Sequence, residues 1–228
     1  MWRRNFKAFL GLLFPRLCPV CGRGLTEAEK FMCTFCLADF PLFDENLHGG
    51  KSMPDFFPSE ERFLVFYSLF YYSRDGKYKN LIYEIKYKSR KKLGFYLGKM
   101  LGERLVEKVS VDAILPIPLH PRRQKKRGFN QARQIALGMG EVLKIPVWDD
   151  VLKRLRNNVS QTGLSAEARL KNTEHLFQLQ KNREITGKRL LLVDDVVTTG
   201  ATVRACIEAL QEGQPGSISL ACLARTLL

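Results

Sequence analysis

Nowhere in the 228 residues does an apolar run approach the roughly 18–20 residues that crossing a bilayer requires, so no membrane span is expected. A leader peptide is not expected either. The basic start Met1–Lys7 and the apolar stretch Ala8–Phe14 imitate one, but Pro15 and Arg16 close that stretch and no small-residue cleavage site follows. The spacing of Phe6, Phe9, Leu10 and Leu13 instead predicts a short amphipathic helix over 1–15, and the protein is expected to be cytoplasmic. Internal repeats and low-complexity tracts are absent. No Ser/His/Asp or Cys/His constellation argues for a covalent enzyme nucleophile. Acid is scarce in one third of the chain: residues 62–133 hold 18 Lys/Arg against five Asp/Glu. That stretch supplies nearly all of the formal +14, and a localised excess of this size favours anionic partners such as phosphates, nucleic acid or acidic headgroups.

Apolar residues make up 45% of the chain and aromatics 11%, enough to offset chain entropy in a globular fold. The length suits one main domain with a small appendage. Four of the six cysteines form two Cys-x-x-Cys pairs, Cys18/Cys21 and Cys33/Cys36, separated by 11 residues. Each such turn can supply one edge of a sulfur tetrahedron, and two pairs this close favour a structural zinc site over a redox dithiol. Gly22 suits the turn after the first pair, whereas Leu37 stands at that place after the second. Cys206 and Cys222 lie in apolar surroundings and read as core, and His48 reads as part of a connector.

The order along the chain is helix 1–15, cysteine module 16–43, a Gly/Pro-containing linker 44–61, and a main domain 62–228. Phe63–Ser73 has strand or hairpin composition. Helical spacing recurs in Tyr78, Leu81, Ile82 and Ile85, in Leu93, Leu97, Leu101 and Leu105, and in Ile135, Met139 and Val142. On the first of these helices Lys86 either lines the site or belongs to the wet face. Asp112–Pro118 reads as a buried strand entering a proline-stiffened loop with the basic run Arg122–Arg127. The last third reads strand Arg189–Val193, loop Asp194–Thr199, helix Thr202–Glu212 and strand Ser217–Ala224. Strands alternating with helices imply an α/β fold with a mainly parallel sheet covered on both faces.

The segment Leu190–Thr202 is the most informative. An apolar strand leads to two adjacent acids, Asp194 and Asp195. The loop Thr198-Thr199-Gly200-Ala201-Thr202 then opens a helix. Loop N–H groups, threonine hydroxyls and a helix N-terminus together suit a phosphate monoester, and Gly200 allows close backbone approach. This order resembles the phosphoribosyl pyrophosphate (PRPP) motif of type I phosphoribosyltransferases. The resemblance implies that Asp194 and Asp195 hold the ribose, as catalytic carboxylates, and that Thr198 to Thr202 cradle the 5-phosphate.

Further stretches are similar to the ComF family of competence proteins: the cysteine pairs, Leu81–Lys88, Pro116–His120 and Arg127-Gly128-Phe129-Asn130-Gln131-Ala132. That similarity covers nearly the whole chain. It implies a type I phosphoribosyltransferase fold with an N-terminal zinc ribbon, and Mg²⁺ accompanying PRPP. Pyrophosphate contacts are implied at Pro118, Leu119, His120, Arg122, Arg123 and Arg127. A mobile loop over Arg156–Asn172, with Gln161, Leu164, Ser165 and Arg169, would close over the ligand.

Two functions stay open. One is a transferase adding an unidentified nucleophile to C1 with loss of pyrophosphate. Mg²⁺ and Arg/Lys would meet the departing charge, and the aspartates would stabilise an oxocarbenium-like ribose. The other is a competence protein that binds single-stranded DNA and keeps the PRPP pocket, with possible contact to DNA-uptake or recombination machinery. Lys/Arg interleaved with Tyr67, Tyr71, Tyr72, Tyr78, Tyr83, Tyr87, Phe95 and Tyr96 would provide its cationic, stacking surface.

Overall fold

The computed structural model describes residues 15–43, 63–73, 75–156 and 176–226, so the linker 44–61, with His48, and all but Pro15 of the expected N-terminal helix lie outside the described residues. In chain order the elements are α1 (Thr34–Ala38), β1 (Phe63–Tyr72), α2 (Lys79–Tyr87), α3 (Lys91–Leu105), β2 (Ala113–Pro116) and α4 (Pro121–Arg127). They continue as α5 (Gln131–Leu143), β3 (Leu152–Arg154), β4 (Phe177–Leu179), β5 (Arg189–Val197), α6 (Ala201–Gln211) and β6 (Ser217–Thr226).

The main sheet has the order β1-β6-β5-β2, and every strand pair in it is parallel. Parallel strands bury both faces, which is why the centre of β5 is a continuous apolar run. Leu190, Leu191, Leu192 and Val193 are all fully buried, yet they serve two cores. Strand alternation sends Leu191 and Val193 to the face covered by α2, α3 and α5, and Leu190 and Leu192 to the face covered by α6 and the antiparallel pair β3–β4.

Both edges of the sheet are covered. Beside β2, Pro146 O accepts from Ile114 N and Trp148 N donates to Ile114 O, a short parallel bridge. Beside β1, the tail of the cysteine module pairs antiparallel through Leu42 and Phe70. Phe40 leaves that tail to pack edge-on against Phe70 and Tyr78, 5.2 and 5.3 Å away. The cysteine module therefore shares its core with the main sheet.

Two expectations are revised, and one pair of strands was not anticipated. β5 does not stop at Val193: Val196 and Val197 continue the ladder opposite Ala224 and Arg225, so the two acids lie within the strand. The basic run after β2 is a helix, not a loop. Pro121 stands in its first turn, His120 Nδ1 accepts from Arg122 N at 3.2 Å, and Gly128 ends it at φ 77°. The short strands β3 and β4 were too brief to show a period in the sequence.

Helices α3 and α5 meet through glycine. A Cβ on Gly98 would stand 2.2 Å from Ile135 O, and one on Gly138 would stand 2.1 Å from Phe95 O. Neither contact is with a flexible side-chain end, so the helices themselves would have to part. Gly98→Ala is expected to cost about 2–3 kcal/mol and to lower Tm by roughly 4–12 °C. Gly94 lies one turn earlier, and a Cβ there meets only ordinary contacts at 3.4 and 3.7 Å. Gly94→Ala should hold or raise Tm through helix propensity, and thermal melts of the two variants check the assignment.

Candidate functional site

A cleft of about 1070 Å³ opens at the carboxyl ends of the parallel strands. This is where open α/β sheets leave space between diverging loops. Asp194 and Asp195 line it, but alternation along β5 turns them to opposite sides. Asp195 falls on the α2 side, where Lys86 Nζ lies 2.9 Å from its Oδ1. Asp194 falls on the α6 side, opposite Cys222 in the ladder. Burial, and after it the negative charge of Asp195, push the Asp194 carboxyl up to about 7. Of the two places the sequence left open for Lys86, the structure takes the site: it is half-buried and tied to the acid pair.

The hydroxyl-rich loop borders the same cleft, with Thr198, Thr199 and Thr202 in its lining. Gly200 takes a left-handed conformation at φ 70° and starts α6, leaving the helix N-terminus without a side-chain cap. Its first-turn N–H groups are therefore open to an anion. Gly200 and Ala201 shape this turn without lining the cleft.

The opposite wall is cationic. The helix α4 carries five Lys/Arg, and only Arg123 and Arg127, one turn apart, line the cleft; Arg122, Lys125 and Lys126 face solvent. The residues after α4 aim and brace this wall. Buried Gln131 accepts from Arg127 Nη1 at 3.0 Å, while Asn130 Nδ2 donates to Ile117 O at 3.0 Å and steadies the loop carrying Pro118 and Leu119. Pro118 and Leu119 line the cleft, whereas His120 caps α4 and neither it nor Arg122 or Arg156 does. Gln161, Leu164, Ser165, Arg169 and Asn172 lie outside the described residues.

Arg154 had no counterpart in the sequence reading, whereas Tyr83 and Tyr87 were among the aromatics expected to stack. Arg154 is buried and lines the cleft from β3. Tyr83 and Tyr87, one turn apart on α2, expose paired rings with centroids 5.0 Å apart, and the Arg127 guanidinium stands 5.8 Å from the Tyr87 ring.

Far along the same core, Cys18, Cys21, Cys33 and Cys36 bring their sulfurs within 4.8 Å of one another. The Cys21–Cys33 separation of 3.6 Å approaches the roughly 3.8 Å edge of a tetrahedron with metal–sulfur bonds of about 2.3 Å. Burial opposes the Cys18 thiolate, but backbone N–H groups of Cys33, Cys21 and Val20 outweigh it and bring the thiol down to about 7. Glu29 ties the spacer together by accepting from the backbone N–H groups of Thr26 and Thr34 at 2.8 and 2.7 Å. Four thiols so placed can bind a metal such as zinc.

A parallel sheet with an acid pair, a hydroxyl loop and a helix N-terminus at its carboxyl edge defines a phosphoribosyltransferase-type domain. Residues 125–227 match the family described as "Phosphoribosyl transferase domain". Among curated proteins, the chain is 29% identical over 197 residues to Competence protein F of Haemophilus influenzae, covering 85% of this chain and 79% of that protein. It is 28% identical over 218 residues to the DNA utilization protein YhgH of Escherichia coli K12, covering 92% and 91%. Competence protein ComFC of Bacillus subtilis is 35% identical over 114 residues, covering 50% of this chain and 44% of that one. The chain belongs to the ComF family of these proteins, and its four-cysteine cluster fits the family's zinc ribbon.

The raised carboxyl of Asp194 has a measurable sign. The folded state holds this proton more tightly than the ordinary value of 3.8. The group's contribution to stability is therefore complete below about pH 4 and is lost as pH rises to about 7. Asp194→Asn cannot ionise, so its Tm advantage over the parent protein should grow across that window and level off above it. An equal margin at about pH 4.5 and about pH 8 would show that the carboxyl is not perturbed.

Proposed function

We propose that the cleft binds PRPP with Mg²⁺ and that the protein is a phosphoribosyltransferase of the DNA-uptake pathway, acting in the cytoplasm on an acceptor still to be identified. The observation that carries this reading is the joint placement of Asp194, Asp195, the Thr198–Thr202 loop and the open α6 N-terminus on one cleft wall. In it, Asp195 and Asp194 accept from the ribose hydroxyls, and the loop and helix N–H groups receive the 5-phosphate. Arg123 and Arg127 face the pyrophosphate and offset charge on the leaving group as the C1–O bond breaks, while the carboxylates favour the positive ribose. Mg²⁺, when bound with PRPP, supplies further neutralisation of the pyrophosphate. Among the described residues no helix is long and apolar enough to cross a membrane.

The names of the relatives, competence and DNA utilization, support the link to transforming DNA. A second reading, single-strand binding, is favoured by Tyr83 and Tyr87, an exposed aromatic pair beside the basic α4. The two readings are compatible.

Calorimetric titration of PRPP with Mg²⁺ is expected to give saturable heat, and Asp194→Asn with Asp195→Asn to weaken binding by at least about 100-fold, since each charged hydrogen-bonding group contributes roughly 1.5–3 kcal/mol. No heat with the parent protein defeats the reading. Salt-sensitive single-strand binding that survives the double substitution would instead favour the second one. For the cysteine site, elemental analysis should give about one zinc per chain, lost in Cys21→Ser with Cys33→Ser.

A further inference from the structure

Arg154 stands where strand alternation calls for an apolar residue. In β3, Leu152 and Arg154 turn inward and Lys153 faces water, and Arg154 keeps 8% of its surface exposed. A guanidinium buried this far normally has a carboxylate against it, because desolvating a charge is costly unless an opposite charge is paired with it. Among the described residues none forms an ion pair with it. Its Nε donates to Arg156 O at 3.3 Å, and its guanidinium lies 5.3 Å from the ring centroid of Phe177, its cross-strand neighbour. Burial weakens its hold on its proton, and the like charges of Arg123 and Arg127 add to that effect, with Asp194 as a partial counterweight. All three guanidiniums line the one cleft.

In the function proposed above the diphosphate has Arg123 and Arg127 as partners, both partly exposed on α4, and the buried Arg154 shares their cleft. The threonine loop and α6 can serve a 5-phosphate, and the aspartates can serve hydroxyls. Neither feature tells a sugar with a diphosphate on C1 from the same sugar with a free hydroxyl there. We propose that Arg154 is a specificity-determining residue that reads the C1 diphosphate, so that the site selects a 1-diphosphorylated pentose over its 5-phosphate parent. Its planar fork matches two phosphate oxygens at once, and the anion supplies the charge partner that the buried guanidinium lacks. The assignment rests on the sugar-phosphate reading given above.

Arg154→Met keeps the apolar stem and removes the charge. Because the charge has no ion-pair partner among the described residues, the variant should melt no lower than the parent. Its affinity for PRPP with Mg²⁺ should fall about 10- to 100-fold, the range of a lost charge-assisted hydrogen bond, while ribose 5-phosphate titrates as before. Arg154→Lys, without the fork, should recover only part of the PRPP affinity. Equal loss of both ligands, or PRPP binding untouched by either substitution, overturns the assignment. Should Arg154→Met fail to fold, Arg154→Lys decides by the same comparison. If the parent protein binds neither sugar, the function proposed above fails first. The assignment is then judged with inorganic pyrophosphate and Mg²⁺: binding that Arg154→Met abolishes upholds it, and binding that survives or never occurs overturns it.

Discussion

Two carboxylates side by side in a buried parallel strand repel each other and lose hydration, and the positive charge around the cleft answers that penalty. Lys86 reaches Asp195 from one face of the sheet, and Arg154 lies in the field of Asp194 on the other. Lys86 pairs with Asp195 and its charge also acts on Asp194, to which Arg154 adds from a different element. Each of the two cores thus contributes one of these cations to the cleft. The apolar run Leu190–Val193 makes this possible by holding the strand between two helical layers.

The position of α2, and so of Lys86, is fastened through the cysteine module. Tyr78, just ahead of the helix, donates to Cys36 O at 3.0 Å and Asp39 O at 2.6 Å, and Phe31 packs on Tyr96 with centroids 5.0 Å apart. Arg104 at the end of α3 donates to Phe43 O at 2.8 Å. A module too small to build a core alone gains one by joining the edge of a larger sheet. A path therefore runs from the cysteine cluster through Tyr78 and α2 to the acid pair.

The basic excess of residues 62–133 divides once contacts are known. Lys88 and Arg90 neutralise buried Glu84, Lys99 pairs with Glu141, and Lys77 pairs with Asp39. Those charges belong to the fold or its surface. Lys86, Arg123 and Arg127 line the cleft. Composition registers only the total, because pairing depends on which residues folding brings within a few ångströms.

Local signals carried much of the outcome. The apolar run, acid pair and glycine-bearing loop of Leu190–Thr202 announced a strand, a turn and a helix, since each depends on neighbours within a few residues. The cysteine spacing announced the cluster for the same reason. The sequence left Lys86 between the site and the wet face, because its partner lies more than a hundred residues away. Arg154 was hidden more deeply: three residues show no period, and its inward turn is set by the pairing of β3 with β4 across a long intervening segment. Sequence alone thus determined the motif, the four-cysteine cluster and the parallel α/β class, all written in short-range patterns. Tertiary structure decided which cations meet the acids and which arginine is buried with no ion pair among the described residues, because those facts depend on packing between distant elements.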